Sequence, residues 1–276
     1  MSTIPLEDNF EDVLGKALRG TGMQDGVLEF LTSVPEETIG KLKDGDFDED
    51  ALRKVASPLG LDAETLVERA KGSWAPEAVD LDGLRQFNTV YDDMTVNSYL
   101  VWDPASKEAA LFDTGTDASG ALGVVGELGL TLKSLFLTHT HIDHIAARGE
   151  VEAAVPGIPV LVNGLEPVEG ATRFNPGARF EIGGLTVETR LTRGHSPGGT
   201  TFVIEGLARP VAIVGDALFA QSMGGGMISY DDALATNRKE IFSLADNTVV
   251  CPGHGPMTSV GEEKAHNPFY PEFKHQ

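Results

Sequence analysis

Three imidazoles and a carboxylate crowd into residues 139–144, within the run Thr138-His139-Thr140-His141-Ile142-Asp143-His144. No other feature constrains the fold so strongly. The residues just before it, Leu132-Lys133-Ser134-Leu135-Phe136-Leu137, are short and apolar enough to form a buried strand. If the chain stays extended beyond that strand, His139 and His141 project to the same side, because side chains alternate with a period of two. Asp143 then suits the cap or first turn of a helix expected over 143–153. Nitrogen ligands and an oxygen ligand, closely spaced but aimed at two centres, are what a two-metal site requires.

Three further candidates each follow an expected strand. His195 lies in Arg193-Gly194-His195-Ser196-Pro197-Gly198-Gly199, Asp216 ends Val211-Ala212-Ile213-Val214-Gly215-Asp216, and His254 lies in Cys251-Pro252-Gly253-His254-Gly255-Pro256. The flanking glycines let backbone come close to a site. Carboxyl ends of strands are where sheets commonly place ligands. Five of the seven histidines join this pattern, leaving His266 and His275. Alone, His195 or His254 would read as a loop residue and Asp216 as a helix cap. Together with the 139–144 cluster they read as one constellation.

Residues 1–80 carry a helical pattern, with helices expected over 7–19, 26–32, 36–42, 48–57 and 62–71. Asp48 and Asp62 are the N-caps of the last two. The stretch 50–70, turning at Gly60, resembles a helix-turn-helix. Its second helix, Asp-Ala-Glu-Thr-Leu-Val-Glu-Arg-Ala, lacks the Arg, Lys, Asn and Gln with which DNA is read, so a packing unit is the better reading. After Ser73-Trp74-Ala75-Pro76 the character changes. Strands are expected over 83–90, 95–102, 108–112, 132–137, 160–162, 185–191, 200–205, 211–214 and 248–251, with helices over 118–128 and 231–245. The division is a helical N-terminal domain, 1–80, and a catalytic domain, 81–276.

The chain has 42 acidic and 21 basic residues. A net charge of −21 repels phosphate backbones and anionic lipid, so neither nucleic acid nor membrane is an expected partner. The one cysteine, Cys251, permits no internal disulfide. With no basic or apolar leader at the start, the expectation is a cytoplasmic globular protein. Its partner would be a small-molecule substrate, and the N-terminal helices are a candidate homodimer contact.

The ordered set His139-x-His141-x-Asp143-His144, His195, Asp216, His254 resembles the metallo-β-lactamase superfamily, over about residues 84–270. The resemblance implies an α+β fold, an αββα sandwich of two mixed β-sheets flanked by helices, with the N-terminal helices as an addition. It further implies that His139, His141 and His195 hold one metal, that Asp143, His144 and His254 hold a second, and that Asp216 bridges them. Two Zn2+ are expected, with Fe or Mn as substitutes. A bridging aspartate resembles the glyoxalase II-like thioesterases, lactonases and persulfide dioxygenases rather than the true β-lactamases. Gly215-Asp216-Ala217-Leu218-Phe219 and the segment 253–269 resemble the short glyoxalase II-like hydrolases.

Two features depart from glyoxalase II. The chain ends 22 residues after His254, without a glutathione-gripping helical domain, and the loop Gln221-Ser222-Met223-Gly224-Gly225-Gly226-Met227 lacks the Gly-Arg usual in that branch. A glutathione carboxylate would find no cationic partner in this loop.

The implied activity is hydrolysis of a small ester, thioester or lactone, with Asp143 orienting the nucleophile or taking its proton. Two cations about 3.5–4 Å apart lower the pKa of a shared water and polarise a carbonyl. The alternative is a mononuclear non-haem iron oxygenase of the persulfide dioxygenase type, using His139, His195 and Asp216. The three glycines and two methionines beside Asp216 suggest a mobile loop, and Cys251 reads as a buried apolar residue.

Overall fold

The computed structural model describes residues 4–166 and 168–274. His275 and the first three residues of the opening stretch lie outside them. Five helices come first: α1 (Phe10–Thr21), α2 (Asp25–Thr32), α3 (Glu36–Lys43), α4 (Glu49–Ala56) and α5 (Ala63–Lys71). The expected caps are in place. The Asp48 carboxylate accepts from the Ala51 amide at 3.0 Å and Asp62 from the Thr65 amide at 2.9 Å, each satisfying an amide of the first turn.

Two mixed six-stranded sheets follow. The first runs β1 (Leu84–Tyr91), β2 (Met94–Trp102), β3 (Glu108–Phe112), β4 (Thr131–Phe136), β5 (Val160–Asn163), β6 (Thr172–Phe174). Its hairpin strands are antiparallel, and β3 through β6 pair in parallel. The second comprises β7 (Arg179–Ile182), β8 (Leu185–Leu191), β9 (Thr200–Glu205), β10 (Val211–Gly215), β11 (Val249–Pro252) and β12 (Thr258–Ser259), antiparallel except for β10 beside β11.

Strand alternation builds the layers. Tyr99, Val101, Phe112, Phe136, Phe202, Val211, Ile213 and Cys251 face one another in the core between the sheets. There the Phe112 and Phe136 rings stack at 5.0 Å. Leu100, Trp102, Leu111 and Leu135 turn outward against α6 (Ser119–Leu128) and α8 (Arg148–Ala154). On the other sheet Ala212, Val214 and Val250 turn outward into a cluster shared with Val13, Leu14, Leu52, Val55 and Leu66 of the N-terminal helices. The helical segment therefore forms the outer layer over the second sheet and is continuous with its core.

Two expected helices differ. The one over 143–153 is split into α7 (Ile142–Ile145) and α8. The Ala147 amide donates to Gly115 O and Thr114 Oγ1, both at 3.1 Å, instead of to the carbonyl four residues back. The one over 231–245 is α-helical only as α9 (Tyr230–Thr236), then widens into a π turn, Asn237–Ile241. There the buried Asn237 side chain donates to Ala217 O at 2.6 Å and to Tyr270 Oη at 2.8 Å. In both places tertiary hydrogen bonds override local periodicity. A last helix, α10 (Val260–His266), closes the described chain together with a short 3-10 turn.

Candidate metal centre

All seven side chains read from the sequence converge at one edge of the sandwich, beyond the carboxyl ends of β4, β8, β10 and β11. Ligating atoms of His139, His141, His195 and Asp216 lie within 4.8 Å of one another, as do those of Asp143, His144 and His254. Asp216 sits between the two sets. Its carboxylate is 3.3 Å from His195 Nε2 and 3.9 Å from His139 Nε2 on one side. On the other it is 3.2 Å from His144 Nε2 and 3.4 Å from His254 Nε2. Asp143 Oδ2 lies 3.5 Å from His144 Nε2 and 3.4 Å from His254 Nε2.

Local bonding sets which nitrogen each ring presents. His144 Nδ1 donates to Asp113 Oδ2 at 2.8 Å, His195 Nδ1 to Gly225 O at 3.1 Å and His254 Nδ1 to Thr95 O at 2.6 Å. Thr138 gives its hydroxyl proton to Asp113 at 2.7 Å, so His139 Nδ1 donates to the Thr138 oxygen at 3.0 Å. In the neutral rings these partners assign the tautomers and leave four Nε2 lone pairs facing inward, the usual arrangement for metal-ligating histidines. His141 instead presents Nδ1, 2.9 Å from His195 Nε2.

The residues fit a pair of cations. His139 Nε2 is buried without a hydrogen bond, and His144 Nε2 and Asp216 Oδ1 face only each other at 3.2 Å, a costly state for polar atoms unless something else satisfies them. At Gly253 a Cβ would come within 2.1 Å of Asp216 Oδ1 and 2.7 Å of His144 Cε1, so only glycine keeps that space clear.

Charge is distributed unevenly in the cluster. Burial opposes ionisation of Asp216, yet the His254 and His144 imidazoles hold its carboxyl well below the usual range. Asp143 is likewise lowered, burial being outweighed by His254 and His144. Burial disfavours a charged His144, but Asp216 and Asp113 push it up to about 10; His254, beside Asp216 and Asp143, rises to about 11. Burial, with the neighbouring imidazoles, depresses His139 and His195.

At neutral pH, without cations, His144 and His254 carry protons that must leave before their Nε2 atoms can ligate. Metal uptake should therefore release about two protons per chain, and affinity should rise with pH between 6 and 9. Calorimetry in two buffers of different ionisation enthalpy measures this; release of no protons would contradict it.

Several supporting groups gave no clear signal in the sequence. Asp113, which the sequence offers as an acceptor for a ligand imidazole or equally as a turn residue, is buried at φ 55° and also accepts from the Thr138 amide at 2.8 Å. Asp113→Asn, which tolerates that backbone conformation, should weaken metal binding by about 10–100-fold. Competition with a chromogenic chelator reads this directly. Glu166, 2% exposed, accepts from Thr140 N and Oγ1 (3.2 and 2.7 Å) and from Gly198 N (2.7 Å), clipping the His139–His141 turn to the His195 loop. The buried Asn97 side chain and Tyr99 hydroxyl donate to Pro252 O at 2.9 and 2.7 Å, fixing the strand end that precedes His254.

Two of the three glycines beside Asp216 lie against neighbouring backbone. A Cβ at Gly224 would fall 1.9 Å from Asp216 O, and one at Gly226 would fall 2.5 Å from Tyr230 Cα. These glycines serve close backbone approach. Cys251 is buried in the core, its thiol pushed up by burial. His266 lies apart, donating to Glu68 at 2.8 Å and stacking on Trp74. Arg179 pairs with Glu188 at 2.9 Å on the second sheet.

The metallo-beta-lactamase superfamily profile matches residues 91–254, and the chain belongs to that superfamily. It is 31% identical over 181 residues to the mitochondrial persulfide dioxygenase ETHE1 of Bos taurus, covering 62% of this chain and 70% of that protein. It is 30% identical over 200 residues to hydroxyacylglutathione hydrolase GloC of Haemophilus influenzae, covering 63% and 92%. The crystal structure of the BLEG-1 B3 metallo-beta-lactamase superposes with a TM-score of 0.58 at 30% identity, covering 68% of this chain and 99% of that one. Helices α1–α5 lie outside the region that the family profile matches.

Proposed function

We propose that the protein is a dinuclear metal hydrolase, with zinc the expected metal, that cleaves a small ester, thioester or lactone. The observation that carries this reading is the second cradle. Asp143, His144 and His254 are as closely grouped as the first set and share Asp216 with it, whereas a mononuclear oxygenase needs only two histidines and one carboxylate. The likeness to GloC supports it as well.

His139, His141 and His195 would hold one cation, Asp143, His144 and His254 the other, and Asp216 both. Bound there, the cations supply Lewis acidity and an acidified water. The chain's own contribution is placement. The Nδ1 bonds of His144, His195 and His254 fix ring orientation, and Asp143 keeps 12% of its side chain exposed. Its carboxylate orients the attacking water or takes its proton as the water oxygen bonds to the acyl carbon; the substrate's acyl–oxygen or acyl–sulfur bond then breaks and that proton passes to the leaving group. Ile142, between His141 and Asp143 in the chain, is 59% exposed and offers an apolar contact for a small uncharged substrate.

A second reading, an iron-dependent persulfide dioxygenase, is favoured by the likeness to ETHE1. One experiment separates the two. Protein purified without added metal is analysed for zinc and iron, then assayed against thioesters, lactones, esters and phosphodiesters, with oxygen uptake followed on a glutathione persulfide. About two zinc per chain with acyl hydrolysis supports the hydrolase. About one iron with oxygen uptake overturns it in favour of the dioxygenase.

A further inference from the structure

The segment Phe219-Ala220-Gln221-Ser222-Met223 follows Asp216 closely and is wholly buried. It touches the candidate ligands at several points. The Phe219 ring meets the His254 ring edge-on at 5.5 Å. Gly224, next in the chain, lies against the Asp216 backbone and His195 Nδ1, and the following carbonyl, Gly225 O, accepts from that nitrogen. Wherever this segment sits, His195 and His254 are aimed accordingly.

The N-terminal layer is what grips it. The Lys16 ammonium, from α1, donates to Met223 O at 2.8 Å, pairs with Asp8 and lies 5.1 Å from the centre of the Phe219 ring. Asp8 also accepts from the Ser222 hydroxyl. From α5, Glu68 accepts from Gln221 Nε2 at 2.9 Å. The extended chain before α1 reaches the last ligand loop, Glu7 lying 4.0 Å from His254 Nδ1. Residues 219–223 contain no cation of their own. Lys16 brings one from 207 residues away and is itself largely buried, so its charge acts on this segment and not on solvent.

We propose that the N-terminal helical layer is a working part of the metal centre and that Lys16 is its positioning residue, pinning residues 219–223 so that Asp216, His195 and His254 keep their geometry. This rests on the dinuclear reading of the site. By linkage, whatever improves the grip of the ligands on metal must also stabilise the docking of α1. A layer that merely covers the sheet would contribute stability without altering metal affinity.

The test uses the full chain loaded with Co2+, whose visible spectrum reports ligand geometry. Uptake is counted first: a wild-type chain that takes up no Co2+ overturns the metal centre itself, and this inference with it. Given uptake, Lys16→Met should bind Co2+ about tenfold more weakly, as loss of an outer hydrogen-bonding partner does, with a shifted spectrum. Lys16→Arg should recover most of both. Leu52→Ala, a cavity on α4 away from these contacts, should lower thermal stability and leave affinity and spectrum unchanged. A folded Lys16→Met protein with affinity within twofold of wild type and the same spectrum overturns the proposal. If Lys16→Met does not fold, hydrogen exchange on the wild type decides. Slower exchange across α1 on metal loading supports the proposal, and exchange in α1 that ignores the metal overturns it.

Discussion

Asp216→Ala should cost about three orders of magnitude in kcat/KM against whichever acyl substrate the wild type hydrolyses. Among the described residues Asp216 is the only carboxylate within 4 Å of ring nitrogens from both histidine sets. Removing it separates the two cradles and deprives each of an anionic ligand. Cations at such a centre contribute several kcal/mol of charge stabilisation, and about 1.4 kcal/mol corresponds to a factor of ten. The substitution should also drop the metal content from two per chain to one or none. Folding should survive, because the change removes a buried charge and relieves His144 and His254. Without the carboxylate, burial lowers both imidazoles, with Asp113 still beside His144 and Asp143 still beside His254. Steady-state kinetics, a metal count and a melting curve on the same preparation check all three expectations. A variant retaining two metals and more than a tenth of the activity would contradict this role.

The second large effect concerns the helices. A chain beginning at Trp74 should be insoluble or molten, although the sequence changes character there and the family profile begins later, at residue 91. Leu218, Ile241, Val250, Val260, Phe269 and Tyr270 are fully buried in one cluster with Val13, Leu14, Leu52, Val55 and Leu66. Each such side chain contributes about 1.5–3 kcal/mol by being kept from water. Exposing even half of that face removes a large part of a net stability of about 5–15 kcal/mol. Loss of the pairs that Glu68 and Asp8 make with Gln221 and Ser222 adds buried polar groups without partners. Size-exclusion chromatography and a thermal melt read the outcome. A soluble, cooperatively melting chain 74–276 would show instead that the helices are a separable domain.

Much of this was legible in the chain itself, for identifiable reasons. The seven candidate ligands stand out because histidine and aspartate are rarely buried together without a task, and each group follows a strand signal. The helices of residues 1–80 show through their apolar spacing and through caps such as Asp48 and Asp62. The strands that did not show are β6, β7 and β12, of three, four and two residues, too short for alternation to declare itself. The break before α8 and the π turn after α9 arise from bonds to residues remote in sequence. The same holds for what orients the ligands. Asp113 meets a partner 31 residues away, Glu166 one 26 away and Lys16 one 207 away. No local pattern encodes such pairs, and a glycine run reads alike whether it is loose or pressed against neighbouring backbone.

The central claim is that these seven side chains enclose two cations. Anomalous diffraction from crystals of protein purified without added metal, collected at the zinc and iron edges, tests it most directly. The account predicts two peaks per chain, one among His139, His141, His195 and Asp216 and the other among Asp143, His144, His254 and the same aspartate. No peak in that cluster, or metal bound elsewhere on the chain, would contradict it.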